Sequence, residues 1–186
     1  MRLLKNKKAL STVVTTLIIL VVSVLLATVV TFYAINVTTT RVQEESLFLT
    51  KPHVWYNPTD QWAEAAIVIV NTGGKDVVID KITVRGQESA WTNVYYNVTT
   101  GSISSDLDFN TTLSDGGTIT IGETPYKFTQ GASGKDITLK SGYTMIVYID
   151  DPDSISLNDI GTTVGITVFT ANAQYYKEAN VQATSS

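Results

Sequence analysis

The stretch Thr12–Ile35, TVVTTLIILVVSVLLATVVTFYAI, contains 24 residues and no charged side chain. As a helix it would be about 36 Å long, which is enough to cross the roughly 30 Å hydrocarbon core of a bilayer. The apolar stretch of a cleavable secretory signal is only about 7–15 residues long. The run therefore favours a membrane-spanning helix, with a cleaved secretory signal as an alternative.

Charged residues are segregated on the two sides of this run. Four of the 13 basic residues, Arg2, Lys5, Lys7 and Lys8, precede it, and all 17 acidic residues lie from Glu44 onward. By the positive-inside rule, the leader would stay in the cytoplasm and the C-terminal part would be exported. Beyond the leader the acidic residues outnumber the nine remaining basic ones, which argues against nucleic acid as a partner.

The junction KKALSTVV, residues 7–14, places basic residues, then a small residue, directly before the apolar run. It resembles the class III leader of archaeal type IV pilin-like proteins, in the pilin and archaellin superfamily. The resemblance implies that a prepilin peptidase cuts between Ala9 and Leu10, so that the apolar helix stays on the mature protein. Bacterial members usually have a glutamate at the fifth mature residue, which is Val14 here, and archaeal members commonly lack it. An uncleaved membrane anchor is the alternative.

The same resemblance implies that the helix serves first as a membrane anchor of the precursor and then as the core of a filament. Its partners would be sister helices, the prepilin peptidase and a pilus assembly platform. The residues that we expect in the filament core are Val13, Leu17, Leu20, Val24 and Leu25.

The helix is predicted to continue past the apolar run. No glycine or proline interrupts Asn36–Thr50, and Arg41 and Glu45 form a pair of opposite charges four residues apart. Pro52 would then end the helix, because the residue before a proline is disfavoured in the helical region. The predicted organisation is a leader over 1–9, a helix over 10–51 and an extracellular domain over 52–186.

The C-terminal part has the alternating pattern of β-strands separated by turns. Strands are predicted at 65–70, 77–85, 91–99, 118–121, 136–139, 143–149, 163–170 and 175–181. Residues 101–117, rich in Ser, Asp, Thr and Gly, are interpreted as a long exposed loop. The predicted fold class is α+β, in which a long hydrophobic N-terminal helix is followed by an all-β, immunoglobulin-like sandwich. The pilin-like family shares this architecture.

The composition leaves little room for catalysis. The chain has no cysteine and one histidine, His53, so neither thiolate chemistry nor a histidine-rich metal site is available. Asp150, Asp151 and Asp153 carry enough oxygen for a cation, but their spacing lacks the EF-hand pattern, and a solvated turn is favoured instead. We therefore expect no enzyme activity, no cofactor and no metal.

Three Asn-X-Thr sequons are candidates for N-glycosylation, at Asn97, Asn110 and Asn36. Asn110 in the polar loop and Asn97 at a strand end are the better candidates, since helix packing would occlude Asn36.

Together these features predict a non-enzymatic pilin on the cell surface, in an extracellular filament used for adhesion or surface attachment. Two alternatives stay open. One is an archaellin, the subunit of the motility filament, and the other is a membrane-anchored surface protein whose sandwich binds a ligand.

Overall fold

The computed structural model describes residues 7–42 and 44–184. The chain divides into two compact units, one ending at Gln43 and one beginning at Glu44. The first contains the helix and the second contains all of the strands. The predicted α+β class, with a long apolar helix followed by a β-sandwich, is confirmed.

Helix α1 spans Lys7–Val42, 36 residues, and is about 54 Å long. Valine, isoleucine and threonine have only moderate helix propensity. No glycine or proline interrupts the segment, and hydroxyl groups within it bond to carbonyls of the same helix.

The prediction that the helix reaches Thr50 and ends at Pro52 is wrong. Strand β1 begins at Leu47, and residues 47–49 alternate between buried, exposed and buried, because Leu47 and Leu49 complete the core of the sandwich while Phe48 points outward. Pro52 lies inside β1, at a shift in the pairing register between Thr50 and His53. A bulge is one of the few places where a sheet tolerates proline. The boundary between helix and β-domain therefore lies at 43, and not at 51.

The β-domain, residues 44–186, is called the head below. Its strands in the described residues are β1 (Leu47–Asn57), β2 (Trp62–Asn71), β3 (Val77–Val84), β4 (Gln87–Glu88), β5 (Val94–Thr99), β6 (Thr118–Ile121), β7 (Thr124–Lys127), β8 (Thr129–Gln130), β9 (Ile137–Leu139), β10 (Thr144–Asp150), β11 (Thr163–Thr170) and β12 (Gln174–Ala183).

The strand pairing is that of an immunoglobulin-like sandwich. The first layer has the strand order β1-β2-β10-β5. The second layer has the order β3-β11-β12 and is extended by β4. In chain order these correspond to the ABED and CFG sheets of the immunoglobulin fold. The two layers are joined where β12, after pairing with β11, continues as a parallel neighbour of β1 at Val54–Tyr56.

The main core lies between the two layers. Alternate residues of β2 and β10, among them Ile67, Ile69 and Val147, face apolar residues of β3, β11 and β12 such as Ile82 and Ile166. This alternation is the period-two pattern of a strand with one face in a core.

A second core covers the outer face of the first layer. The other alternate residues of β2 and β10, such as Val68 and Tyr148, contact side chains of the insertion 100–143 between β5 and β10. Leu107 is 2% exposed, and Ile103, Phe109 and Leu113 pack against the same cluster. Residues 101–117 contain no strand and most of them are exposed, as predicted. The prediction missed that their few apolar side chains cover the outer face of the sheet.

Candidate functional site: the apolar helix and the modifiable surface of the head

The apolar surface of α1 is the largest exposed hydrophobic feature of the described residues. Leu10–Thr40, 31 residues, is long and apolar enough to cross a membrane, and none of its most apolar window is buried. The five residues predicted to form a filament core are all exposed. Their exposed fractions are 61% for Val13, 60% for Leu17, 63% for Leu20, 57% for Val24 and 60% for Leu25.

The hydroxyl groups along α1 are bonded within the helix. Thr15 Oγ1 donates to Ser11 O at 2.9 Å and Ser23 Oγ donates to Ile19 O at 2.7 Å. Thr16, Thr28 and Thr31 bond to carbonyls one turn earlier in the same way. The hydroxyl groups therefore do not interrupt the apolar surface with unsatisfied donors, which makes them compatible with lipid or with other helices.

The predicted processing junction lies near the start of α1. The backbone of Ala9 and Leu10 belongs to the helix, and the side chain of Leu10 is 71% exposed. The leader residues 1–6 lie outside the described residues, and cleavage between Ala9 and Leu10 stays a prediction.

The three sequons lie in very different surroundings. Asn97 is a half-buried residue of β5, and its Nδ2 donates to Lys127 O at 2.7 Å. Glycosylation modifies this nitrogen, so the bond holds the acceptor atom of this sequon against the backbone of β7. Asn36 is exposed on α1, but the threonine of its sequon, Thr38, donates its hydroxyl group to Ala34 O at 2.8 Å.

At Asn110, which is half-buried, the asparagine and the threonine of the sequon contact each other. Its Oδ1 accepts hydrogen bonds from the backbone N–H of Thr112 at 2.9 Å and from the Thr112 hydroxyl group at 3.1 Å. This Asx-turn brings the two functional residues of the sequon together in a non-helical, non-strand conformation. Only the carboxamide oxygen holds the turn, so the nitrogen that a transferase would modify is not part of it.

The backbone of Asn110 also binds a buried carboxyl group that the sequence analysis missed. Glu64, on β2, has no exposed surface, and burial raises the pKa of its carboxyl group to about 9. Its neighbour Asp150 adds to this increase in pKa, while the N–H of Asn110 opposes it. The sequence signal was a single glutamate in the apolar run WAEAAIVIV, which is unusual in a strand buried on both faces.

The acidic turn does not gather its carboxylates around a common point. In the described ranges 7–42 and 44–184, no group of three or more metal-ligating side chains is placed to hold an ion. Asp150, Asp151 and Asp153 each accept a hydrogen bond from the protein instead. The respective donors are Trp62 Nε1, Ala63 N and Gln87 Nε2.

His53 helps to attach the insertion to the sheet. Its Nε2 lies 2.8 Å from Asp106 Oδ1, and its ring stacks on Trp55 with a centroid distance of 5.0 Å. The neighbouring Lys51 donates to the carbonyl oxygens of Ser104 and Ser105. Lys51 and His53 together therefore hold residues 104–106 against β1.

The outer face of the second layer carries a groove that sequence reasoning did not find. Residues of β3, β4, β11 and β12 line about 470 Å³. Lys81 Nζ lies 5.1 Å from the ring centre of Phe169 and 3.7 Å from Glu88, and Tyr176 is 59% exposed on the same face. The groove therefore combines aromatic surface with paired charges.

No protein-family model matches the chain, and no curated protein matches it. Among solved structures, it is similar to one described as the copper-bound PCuAC domain from PmoF2, with 13% identity, a TM-score of 0.33, and coverage of 76% of this chain and 99% of that one. It is also similar to the ligand binding region of serine-glutamate repeat protein A of Enterococcus faecium, with 17% identity, a TM-score of 0.26, and coverage of 77% and 99%. At these TM-scores neither likeness contributes to the assignment of function.

Proposed function

We propose that this protein is a pilin-like structural subunit that polymerises through α1 into an extracellular filament and has no enzymatic role. The observation that carries the proposal is the apolar surface of α1, which is exposed, free of charge over Thr12–Asn36, and followed by a folded head. An isolated monomer in water would expose this surface at a large cost in free energy, so it must be covered by lipid or by other helices.

The length of the apolar segment favours helix packing in addition to membrane insertion. Leu10–Thr40 is about 46 Å long, whereas a bilayer core is about 30 Å thick. About ten residues of the segment therefore exceed what a perpendicular span needs. Packing among sister helices in a filament would cover the whole length.

Processing at Ala9–Leu10 would connect the two roles of the helix. The four basic residues before this junction hold the N-terminus of the precursor in the cytoplasm. Their removal by a prepilin peptidase takes away four positive side chains that oppose extraction from the bilayer and leaves one new amino terminus at Leu10. The helix is then free to join a filament at the assembly platform.

Adhesion or surface attachment is the proposed use of the filament. The resemblance supports this choice over an archaellin, because the start Ser11-Thr12-Val13-Val14 is more similar to pili than to the glycine-rich start typical of archaellins. The exported, acidic head with its candidate glycosylation site at Asn110 suits a hydrated outer surface.

The groove on the second layer favours one other function, that of a membrane-anchored binding protein. Its lining by Phe169, Tyr176, Lys81 and Glu88 is of the kind that binds a small polar ligand. In that case α1 would stay in the bilayer with its leader attached.

The first residue of the native protein distinguishes a filament subunit from a membrane-anchored binding protein. We expect mass spectrometry to find Leu10 as the first residue, and electron microscopy of the same cells to show filaments that contain the chain. An intact leader on a protein confined to the membrane fraction would refute the filament proposal and support the anchored binding protein.

A further inference from the structure

The first three residues of the head, Glu44–Ser46, lie before β1 and are held by the turn between β2 and β3. The backbone N–H of Gly74 donates to Glu44 O at 3.2 Å. Thr72 N and Gly73 N both donate to Ser46 O, at 2.9 and 3.0 Å. Three backbone hydrogen bonds thus fix a segment that has no strand partner of its own.

Gly73 is required for this close approach. A Cβ atom at this position would lie 2.6 Å from Glu44 O and 2.7 Å from Ser46 N, both of which are backbone atoms that cannot rotate away. The reason for glycine here is therefore the distance between two chain segments, rather than the conformational freedom of the residue itself. Any other residue would push Glu44–Ser46 off the turn.

The side chain of Glu45 makes a second attachment, to the turn between β11 and β12. It is only 7% exposed, and its Oε2 accepts a hydrogen bond from Asn172 Nδ2 at 2.8 Å. Its Oε1 accepts one from the hydroxyl group of Thr170, and Lys75 Nζ lies 3.9 Å from Oε2. Hydrogen bonds to a charged group are stronger than neutral ones, so this carboxylate ties Glu45 to two separate turns of the head.

These attachments lie where β1 is otherwise weakly held. Leu47–Thr50 pairs with β2, whereas pairing with β12 begins only at Val54. The first residues of β1 thus have a strand partner on one side only. Force that reached the chain at Glu44 would act first on this end of β1, whose strand partner there is β2 alone.

We propose that Glu44–Ser46, held by Gly73 and Glu45, is a clamp that keeps β1 in the sheet when tension arrives along the chain from an anchored α1. The proposal rests on the proposed function only in that α1 is anchored, in a filament or in a membrane. In either setting the head is pulled through Glu44 whenever its outer surface is attached to something else. Glu45 bonds this segment to the turn between β11 and β12, and Gly73 allows its close approach to the turn between β2 and β3.

Constant-force pulling on the full chain in detergent micelles tests the clamp. Handles at the N- and C-termini make the force pass through Glu44, and unfolding of α1 is recognised by its own length change. We expect Glu45→Gln and Asn172→Ala to raise the rate at which the head begins to unfold by about tenfold, the effect of losing one charge-assisted hydrogen bond. Gly73→Ala should raise that rate at least as much.

Two control variants separate a clamp from a general loss of stability. Gly101→Ala adds the same methyl group where the nearest atom would lie 3.7 Å away, and should leave the rate unchanged. Leu139→Ala opens a cavity in the main core, where Leu139 has no exposed surface, and lowers the stability of the whole head. We expect it to lower the melting temperature more than Asn172→Ala does, while changing the initial rupture rate less.

Hydrogen exchange on the same variants gives a second readout without force. Clamp variants should speed exchange at the amides of Leu47–Thr50 and leave β3 and β11 protected. Unchanged rupture rates in Glu45→Gln and Asn172→Ala would overturn the clamp. A Leu139→Ala variant that raises the initial rupture rate as much as Asn172→Ala does would also overturn it. If Gly73→Ala does not fold, the rupture rates of Glu45→Gln and Asn172→Ala decide whether the clamp exists. Because the assay needs no filament, a failure of the filament proposal would leave its result intact.

Discussion

The backbone N–H of Asn110 donates to the carboxyl group of Glu64, at 3.3 Å from Oε1 and 3.2 Å from Oε2, and the Glu64 side chain has no exposed surface. The two residues are 46 positions apart, one in the insertion and one in β2. The insertion is thus pinned to the sheet by a carboxyl group in addition to its apolar side chains. Nearby, Tyr148 donates its hydroxyl group to Asp108 O at 3.1 Å.

The protonation of Glu64 predicts a dependence of stability on pH. Its pKa is raised by burial from 4.5 to about 9, so the folded head binds a proton that the unfolded chain releases above pH 4.5. Stability from this group is therefore complete below about pH 4.5 and is lost as pH rises towards 9. The slope is on the order of 1 kcal/mol per pH unit within that window.

Glu64→Gln removes this titration while preserving the shape of the side chain. We expect the melting temperature of the variant, relative to the original protein, to rise steadily between pH 5 and pH 9. Thermal unfolding of the full chain in detergent at several pH values measures the difference, which cancels the contributions of titrating groups that do not interact with Glu64. Glu123→Gln, at an exposed carboxylate, is the matched control and should show no such trend. A constant difference across the range would contradict the assignment.

The second core predicts that an apparently polar loop contributes to stability. Leu107→Ala should lower the free energy of unfolding by about 2–4 kcal/mol, because it leaves a cavity beneath the insertion. Chemical denaturation in detergent measures this change. Leu157→Ala, at a leucine that is 54% exposed, is the control and should cost less than about 1 kcal/mol. Similar losses in the two variants would mean that residues 101–117 do not pack on the sheet.

The surroundings of the sequons predict which asparagine carries a glycan. We expect Asn110 to be occupied and Asn97 to be unmodified, because Asn97 Nδ2 is engaged with Lys127 O and Asn110 presents an Asx-turn to Thr112. Glycopeptide mass spectrometry of protein from its natural host measures both sites. Thr112→Ala should abolish the modification, and Thr112→Ser, which keeps the hydroxyl group, should retain it. Occupancy at Asn97 with an empty Asn110 would contradict the prediction.

The exposed apolar surface of α1 predicts the effect of a charge within it. Leu17→Glu or Leu25→Glu should abolish filaments, since a helical core would have to bury an ion without a partner. Electron microscopy and a sheared surface fraction measure the result, and the membrane content of the precursor shows whether insertion itself was lost. Leu17→Ile, which keeps the apolar surface, is the control. Normal filaments from both charged variants would show that these positions lie outside the core.

The errors of the sequence analysis occurred where local signals were ambiguous. Leu47, Phe48 and Leu49 fit a helix as well as a strand, and Pro52 fits a helix end as well as a bulge. The segment forms a strand because pairing with β2 places Leu47 and Leu49 in the main core. The packing of residues 101–117 on the sheet was missed for a related reason. Their four apolar side chains are spread among polar residues without a regular period. The sequence therefore gives no sign that they cover a face of the sheet.

The sequence by itself determined the parts that depend on local composition. An uncharged apolar run makes a helix that must avoid water, and alternation with turns makes the strands of a sandwich. The tertiary structure alone decided which distant residues meet, such as Glu64 with Asn110, Glu45 with Asn172, and Gly73 with Glu44. The physical reason is that each of these contacts requires two segments to approach within a few ångströms, and no local property of either segment records the partner.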